Sequence, residues 1–303
     1  MNADSAIDAP TWQRVLQQLQ HATVRDLAFL LLSPSLLQPG YPAWEDAVAQ
    51  WPADDWAAWR RWLFTQDLAP QRLQAHVAEQ PAQRLGRYAE QLLGFALAHA
   101  PPELGIRLLS SHHVVAESGV TAGELDFVIE RRGVVEHWEL AVKFYCQQGD
   151  LSLQSFASPD GRDTLADKLQ HLFERQLPLQ PVAGVPRADR ALAYVRGWLF
   201  YPAQSPAAGR FDAFGLHPSH PRGSWVDESE VGALKQGSWV PLPRLAWLPP
   251  ATVRRDAQGH YPPLTMHGHA RASLWAQVAK RSSGVRDEVQ RVMVLRGAAA
   301  REA

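Results

Sequence analysis

The chain has 303 residues, 46% of them hydrophobic and 20% charged, with a formal net charge of −1. That composition is that of a folding globular protein rather than a disordered one. The near-zero charge excludes a surface that is basic throughout, though not a local basic channel balanced by acids elsewhere.

Cys146 is the single cysteine, so no intrachain disulfide forms and no oxidising compartment is needed. The start Met1-Asn2-Ala3-Asp4-Ser5 lacks the basic and apolar pattern of a signal peptide. The apolar run 27 to 37 is broken by Ser33, Pro34 and Ser35 and is too short to cross a bilayer. A cytoplasmic location with no membrane segment is therefore expected.

Residues 11 to 80 read as helical and rich in tryptophan, with Trp44, Trp51, Trp56, Trp59 and Trp62 separated by breaks at Pro42, Pro52 and Pro70. The Trp56–Trp59 spacing puts two indoles on one helical face, which is the pattern of core packing more than of a base-stacking platform. Residues 84 to 99 carry Leu85, Tyr88, Ala89, Leu92, Leu93 and Ala96 at helical spacing and stop before Pro101. Three runs rich in Val, Ile, Leu and aromatics follow at 105 to 115, 124 to 129 and 134 to 145, and they predict strands. Arg132-Gly133 predicts a tight turn between the last two.

After a Ser-Pro-Asp-Gly turn at 158 to 161, Asp163 is placed to cap a helix with the stripe Leu165, Leu169, Leu172 and Phe173, ending at Pro178. Residues 191 to 201 predict another strand. The string Gly-Ser-Trp-Val occurs at 223 to 226 and again at 237 to 240, too few copies for a repeat architecture, and a strand pair packing both indoles is expected. From Arg271 onward a helix is expected. The order helix, three strands, helix, strand makes an α/β protein with a mixed sheet.

Four ionisable positions stand out: Glu90 on the first helix of this series, Asp126 on the second strand, and Glu139 and Lys143 on the third. Side chains alternate along a strand, so Glu124 shares a face with Asp126, and Glu139 shares one with Ala141 and Lys143. A two-residue turn at Arg132-Gly133 pairs Arg131 with Val134 and, counting back along the hairpin, sets Asp126 across from Glu139. Two facing carboxylates repel, which raises one pKa unless a cation is bound. Mg²⁺ or Mn²⁺ answers that need with oxygen ligands, water and phosphate oxygens, and a nearby lysine offsets charge developing on phosphorus. The parts suit phosphodiester hydrolysis of DNA or RNA.

The strings Leu85-Gly86-Arg87-Tyr88-Ala89-Glu90, Gly123-Glu124-Leu125-Asp126 and His137-Trp138-Glu139-Leu140-Ala141-Val142-Lys143-Phe144, with Val24-Arg25-Asp26-Leu27 earlier, resemble the bacterial family called domain of unknown function 1853. That family is grouped by resemblance with the PD-(D/E)XK, or restriction-endonuclease-like, nucleases. The resemblance implies that Asp126 and Glu139 are metal ligands, Lys143 the catalytic lysine and Glu90 a further acid at the metal. The superfamily motif covers only a nuclease-like core (84–202); the residues before it read as a helical N-terminal cap (1–83) and those after it as a Trp-rich C-terminal extension (203–303). One departure stands against it: the superfamily lysine follows the acid by two residues, and here Ala141 holds that position while Glu139 lies four before Lys143.

Plainer readings exist for each residue. An acid near a strand end is ordinarily solvated, and Lys143 can be a surface lysine, although it sits between Val142 and Phe144 and is one of only four lysines. Gly86 and Gly94 flank Glu90 on one line of the helix, which clears a surface for a substrate or merely for helix packing. Arg162, Lys168 and Arg175 would line a nucleic-acid phosphate track or a solvated helix face. The pairs His112-His113, His217 with His220, and His267 with His269 have no cysteine partners or zinc-finger spacing. Cys146 reads as a small buried residue. The alternative function is a nuclease-like fold without catalysis, serving as a nucleic-acid-binding or protein-interaction module.

Overall fold

The structure is a computed structural model describing residues 9–117, 120–180, 184–204, 214–234, 237–254, 272–282 and 284–297. Helices come first: α1 (Ala9–Gln18), α2 (Ala22–Leu32), α3 (Ala53–Leu68), α4 (Gln71–Glu79) and α5 (Leu85–Ala98). Strands β1 (Ile106–Glu117), β2 (Val120–Arg131), β3 (Val134–Gln147) and the short β4 (Phe156–Ala157) follow, and then α6 (Leu165–His171), which continues in π-helical geometry over Leu172–Gln176. The remainder is β5 (Arg190–Pro202), β6 (Arg222–Asp227), β7 (Ser238–Leu242), β8 (Thr252–Arg254), β9 (Ala272–Ser282) and β10 (Val285–Leu295). This is a mixed α/β protein, as expected. Among the described residues no helix is long and apolar enough to cross a membrane. The expectation for His267 and His269 lies outside the described residues.

Two compact units divide the chain. The first is Met1–Lys143, Asp167–Gly197 and Phe211–His220; the second is Phe144–Ala166, Trp198–Arg210 and Pro221–Ala303.

In the first unit the strand order is β1-β2-β3-β5, with β1-β2 and β2-β3 antiparallel. The β2–β3 hairpin closes on Arg132 and Gly133, whose φ angles of 53° and 83° are both left-handed. That is the type I′ pattern whose twist suits a two-residue hairpin. Arginine is an unusual occupant, and it is held there: its N–H donates to Gly105 O at 2.9 Å and its guanidinium pairs with Asp55 at the start of α3.

Helix α5 buries Leu85, Ala89, Leu92, Leu93 and Ala96 along one stripe and packs on β1 and β2. Gly94 is where it comes closest, since a Cβ there would sit 3.3 Å from the Phe127 ring, whereas Gly86 faces open space. On its other side α5 meets α2, where the Tyr88 hydroxyl donates to Asp26 at 2.6 Å. Burial raises the Asp26 pKa to about 7.

Of the five tryptophans from Trp44 to Trp62, Trp44, Trp51 and Trp59 are buried, while Trp56 and Trp62 are half-buried, so of the pair whose spacing predicts core packing Trp59 is the one fully in the core. Trp59 is fully buried and meets Trp51 edge-on at 5.1 Å; Trp51 in turn contacts Trp138 of β3 at 5.0 Å, and Trp138 stacks on Tyr194 of β5 at 5.0 Å. Rings of this size carry much of the burial that holds helices to strands. On the same side of β3 the carboxylate of Glu136 is fully buried and answered by Arg131, Arg190 and the Trp138 indole N–H.

In the second unit the order is β3-β5-β6-β10-β9-β7, with β4 on β3 and β8 on β10. The helix expected from Arg271 onward is replaced by the antiparallel hairpin β9–β10. Ala, Gln, Lys and Arg in these segments suit a helix locally, but Val278, Val285, Val292 and Val294 favour strands, and pairing to β6 and β7 decides the matter. The two Gly-Ser-Trp-Val copies do not pair with each other either. The first lies on β6 and the second leads into β7, with β10 and β9 between them; Trp239 nevertheless packs on the cluster of Val226, Trp275, Val292 and Val294.

Gly197 of β5 has a φ of 135°, and a Cβ there would overlap the Lys143 carbonyl. Gly197→Ala is therefore expected to destabilise the protein by at least about 3 kcal/mol. Gly133→Ala, left-handed but with nothing within 4 Å, should cost only about 1 kcal/mol. Urea denaturation of the two variants measures the difference.

Candidate functional site

The β2–β3 ladder runs in regular register from Arg131–Val134 to Phe127–Trp138. The next residues across the hairpin are Asp126 and Glu139, and there side chains replace backbone bonding: Leu140 N–H donates to Asp126 Oδ2 at 2.8 Å and Asp126 N–H donates to Glu139 Oε1 at 3.3 Å. The opposition expected from the two-residue turn is thus present, and it marks the point where the two strands part. On the other edge of β2, the pairs Ser111–Phe127 and His113–Leu125 leave His112 across from Asp126, with His112 at a left-handed φ of 52°.

Glu139 is fully buried and well supplied with donors. His137 Nε2 lies 2.7 Å from Oε1, and Gln176 Nε2 donates to Oε2 at 2.7 Å. Because an ionised carboxylate only accepts, the proton of the His137 ring belongs on Nε2. Nδ1 of the same ring, the acceptor in that tautomer, is buried without a hydrogen-bond partner among the described residues.

Asp126 has no such set. Its Oδ2 takes the one bond from Leu140, and no partner is present for Oδ1 among the described residues. Its pKa is raised to about 8, first by burial and then by the charge of Glu139, with smaller contributions from Glu90 and Glu124 and an opposing one from the Leu140 N–H.

Glu90 of α5 belongs to the same neighbourhood, since its charge is felt at Asp126. Its carboxylate accepts from Arg87 Nη1 at 3.0 Å and lies 3.9 Å from His112 Nδ1, while Glu124 Oε1 is 3.0 Å from that same nitrogen. Arg87 is a cation to which the sequence reading gave no role, and it balances Glu90, while the His112 ring lies between Arg87 and Glu124 within hydrogen-bond distance of both. His137, two residues before Glu139 and on its face, was open to detection by strand alternation. Gln176 was not, because it arrives from the π-helical turn after α6.

Lys143 is half-buried on β3, with its backbone against Gly197. Lys168 is half-buried and Arg175 exposed, both in the first unit. Arg162 lies in the second unit, largely exposed and paired with Asp160 at 3.2 Å. Among the described residues no group of three or more His, Cys, Asp and Glu is arranged to hold a metal ion.

A mixed α/β chain that sets a buried and a half-buried carboxylate across a parting hairpin is the class defined by these observations. The chain belongs to the family described as Domain of unknown function (DUF1853), whose model matches residues 25–295. No curated protein and no solved structure matches it.

The raised pKa has a consequence for stability. Between the ordinary carboxylate value of 3.8 and about 8, folded Asp126 keeps a proton that the unfolded chain has released. Its contribution is complete below the lower value and is lost as pH rises through the upper one. Asp126→Asn removes this loss. The stability of the variant relative to wild type is expected to grow by up to about 1.4 kcal/mol per pH unit across that interval. Urea unfolding of both proteins at pH 5, 6, 7 and 8, taken as a difference, cancels the titration of Asp26.

Proposed function

We propose that the chain is a metal-dependent phosphodiesterase of the restriction-endonuclease-like kind, acting on DNA or RNA. The observation that carries this reading is the Asp126–Glu139 pair, with Glu139 buried and Asp126 half-buried where the ladder ends, and with the pKa of Asp126 raised by burial first and by Glu139 second. The donor set fits Mg²⁺ or Mn²⁺: it is all oxygen, it has an excess of negative charge, and Asp126 Oδ1 has no partner among the described residues. Asp126 and Glu139 would hold the ion. When bound, the metal would supply a Lewis acid and a more acidic water.

The remaining roles fall to this chain's own groups. His137 and Gln176 fix the Glu139 carboxylate, so that its orientation is set before substrate arrives. Lys143 would offset charge on the scissile phosphate. Glu90, fixed by Arg87, would orient water at the edge of the site. Lys168 and Arg175 in the first unit, and Arg162 in the second, are each candidates for a phosphate contact.

A second reading, a binding module without catalysis, is favoured by one observation: both Glu139 oxygens already accept hydrogen bonds. An ion would reach that carboxylate only by displacing a donor.

Calorimetry with Mn²⁺ and a cleavage assay on single- and double-stranded DNA and RNA separate the two. On the first reading wild type takes up Mn²⁺ and releases a proton, with affinity rising about tenfold per pH unit until pH 8, and Asp126→Asn and Glu139→Gln each lower cleavage by at least about 100-fold. Equal Mn²⁺ uptake by wild type and Asp126→Asn would overturn it. Nucleic-acid binding with no metal uptake would establish the second.

A further inference from the structure

A cavity of ≈50 Å³ lies in the first unit at the C-terminal end of α2, apart from the carboxylate pair. Its wall includes Arg196, Ser33, Ser35 and His217, between apolar surface from Leu31 and Ala49. That volume admits a few water molecules, or one small oxyanion in their place.

Arg196 is 3% exposed. Its Nε donates to Leu30 O at 3.1 Å and its Nη1 to Val195 O at 3.0 Å, and its guanidinium carbon lies 3.9 Å from the Tyr194 ring centroid. Among the described residues no carboxylate pairs with it. A guanidinium carries five N–H donors, so two carbonyl bonds leave donors over. A buried cation with no counter-charge is costly. Capping the end of α2 accounts for the bond to Leu30, but it does not account for the missing anion.

Ser33 gives a second, independent sign. It is 3% exposed, and its hydroxyl has no hydrogen-bond partner among the described residues. Helix capping does not require that hydroxyl, and a buried donor left unused is uncommon. His217 is a further polar residue of the wall. Its Nδ1 accepts from the Ser219 N–H at 3.0 Å, which places the proton of the neutral ring on Nε2.

We infer that this cavity is a binding site for a small oxyanion group, phosphate or carboxylate, with Arg196 as the counter-charge and Ser33 as a hydrogen-bond donor. A guanidinium presents paired donors that match two oxygens of either group, and dry surroundings strengthen those bonds. The inference is independent of whether the carboxylate pair cuts nucleic acid.

The test is titration of the full chain with inorganic phosphate and, separately, with acetate, against sodium chloride at matched ionic strength, followed by calorimetry and thermal unfolding. At least one oxyanion should bind and raise the unfolding temperature beyond the chloride control; phosphate ahead of acetate assigns a phosphate-bearing ligand, and the reverse order a carboxylate. Arg196→Lys should weaken binding at least about tenfold. Should that variant fail to fold, Ser33→Ala still decides the question. With no bond to lose, it should unfold without ligand at the wild-type temperature or above and bind the oxyanion several-fold more weakly. A response no larger than that to chloride, or undiminished oxyanion binding by Ser33→Ala, overturns the inference.

Discussion

Asp126 and Glu139 meet where water is largely excluded, and two negative charges there cannot both be left uncompensated. Much of the first unit follows from that constraint. The turn at Arg132-Gly133 fixes which residues face each other. His137 and Gln176 bring donors to one carboxylate, and the other is left holding a proton near neutrality. The division of labour is unequal: Glu139 is immobilised and satisfied, while Asp126 is the group whose charge can change. A cation, a substrate proton or a shift in pH would act on Asp126 first.

A second constraint runs from the helices to the strands through aromatic rings. Trp51 donates its indole N–H to the Tyr194 hydroxyl at 2.9 Å, and that hydroxyl donates to Leu30 O at 2.7 Å. Apolar stacking and polar satisfaction are thus supplied by the same side chains, at the open carbonyl end of α2, where orphan acceptors are otherwise a cost. Arg196 reaches the same carbonyl. The end of one helix, one strand of the sheet and the oxyanion cavity are tied to a single backbone oxygen.

Much of the carboxylate hairpin was legible because its signals are local. Val, Ile and aromatic runs gave β1 to β3, and a two-residue turn set the pairing of Asp126 with Glu139. What was missed depends on distant pairing. His112 stands opposite Asp126 only because register shifts between Leu108 and Ser110, and nothing in the string Ser110-Ser111-His112-His113 announces that. β9 and β10 contain residues that suit a helix, and neighbouring strands overrule them. Arg196 was the missed opportunity. It sits within a run from Leu192 to Tyr201 in which every residue is buried, and a charge inside such a run is a sign of a partner.

The first unit is stitched together from three separated stretches, and the last of them reaches back a long way. Leu216 bridges to Leu37, and the His217 N–H donates to Leu36 O at 2.9 Å. During synthesis α2 emerges well before β5, which its end meets, and before Leu216 and His217, which meet residues 36 and 37. Until then the carbonyl end of α2 has no strand to meet, whereas α5 finds β1 and β2 directly after it. Such late, long-range closure slows folding and prolongs exposure of sticky surface on the ribosome. The order of the chain thus makes the nascent polypeptide a natural client for protection by chaperones, whatever the finished protein does.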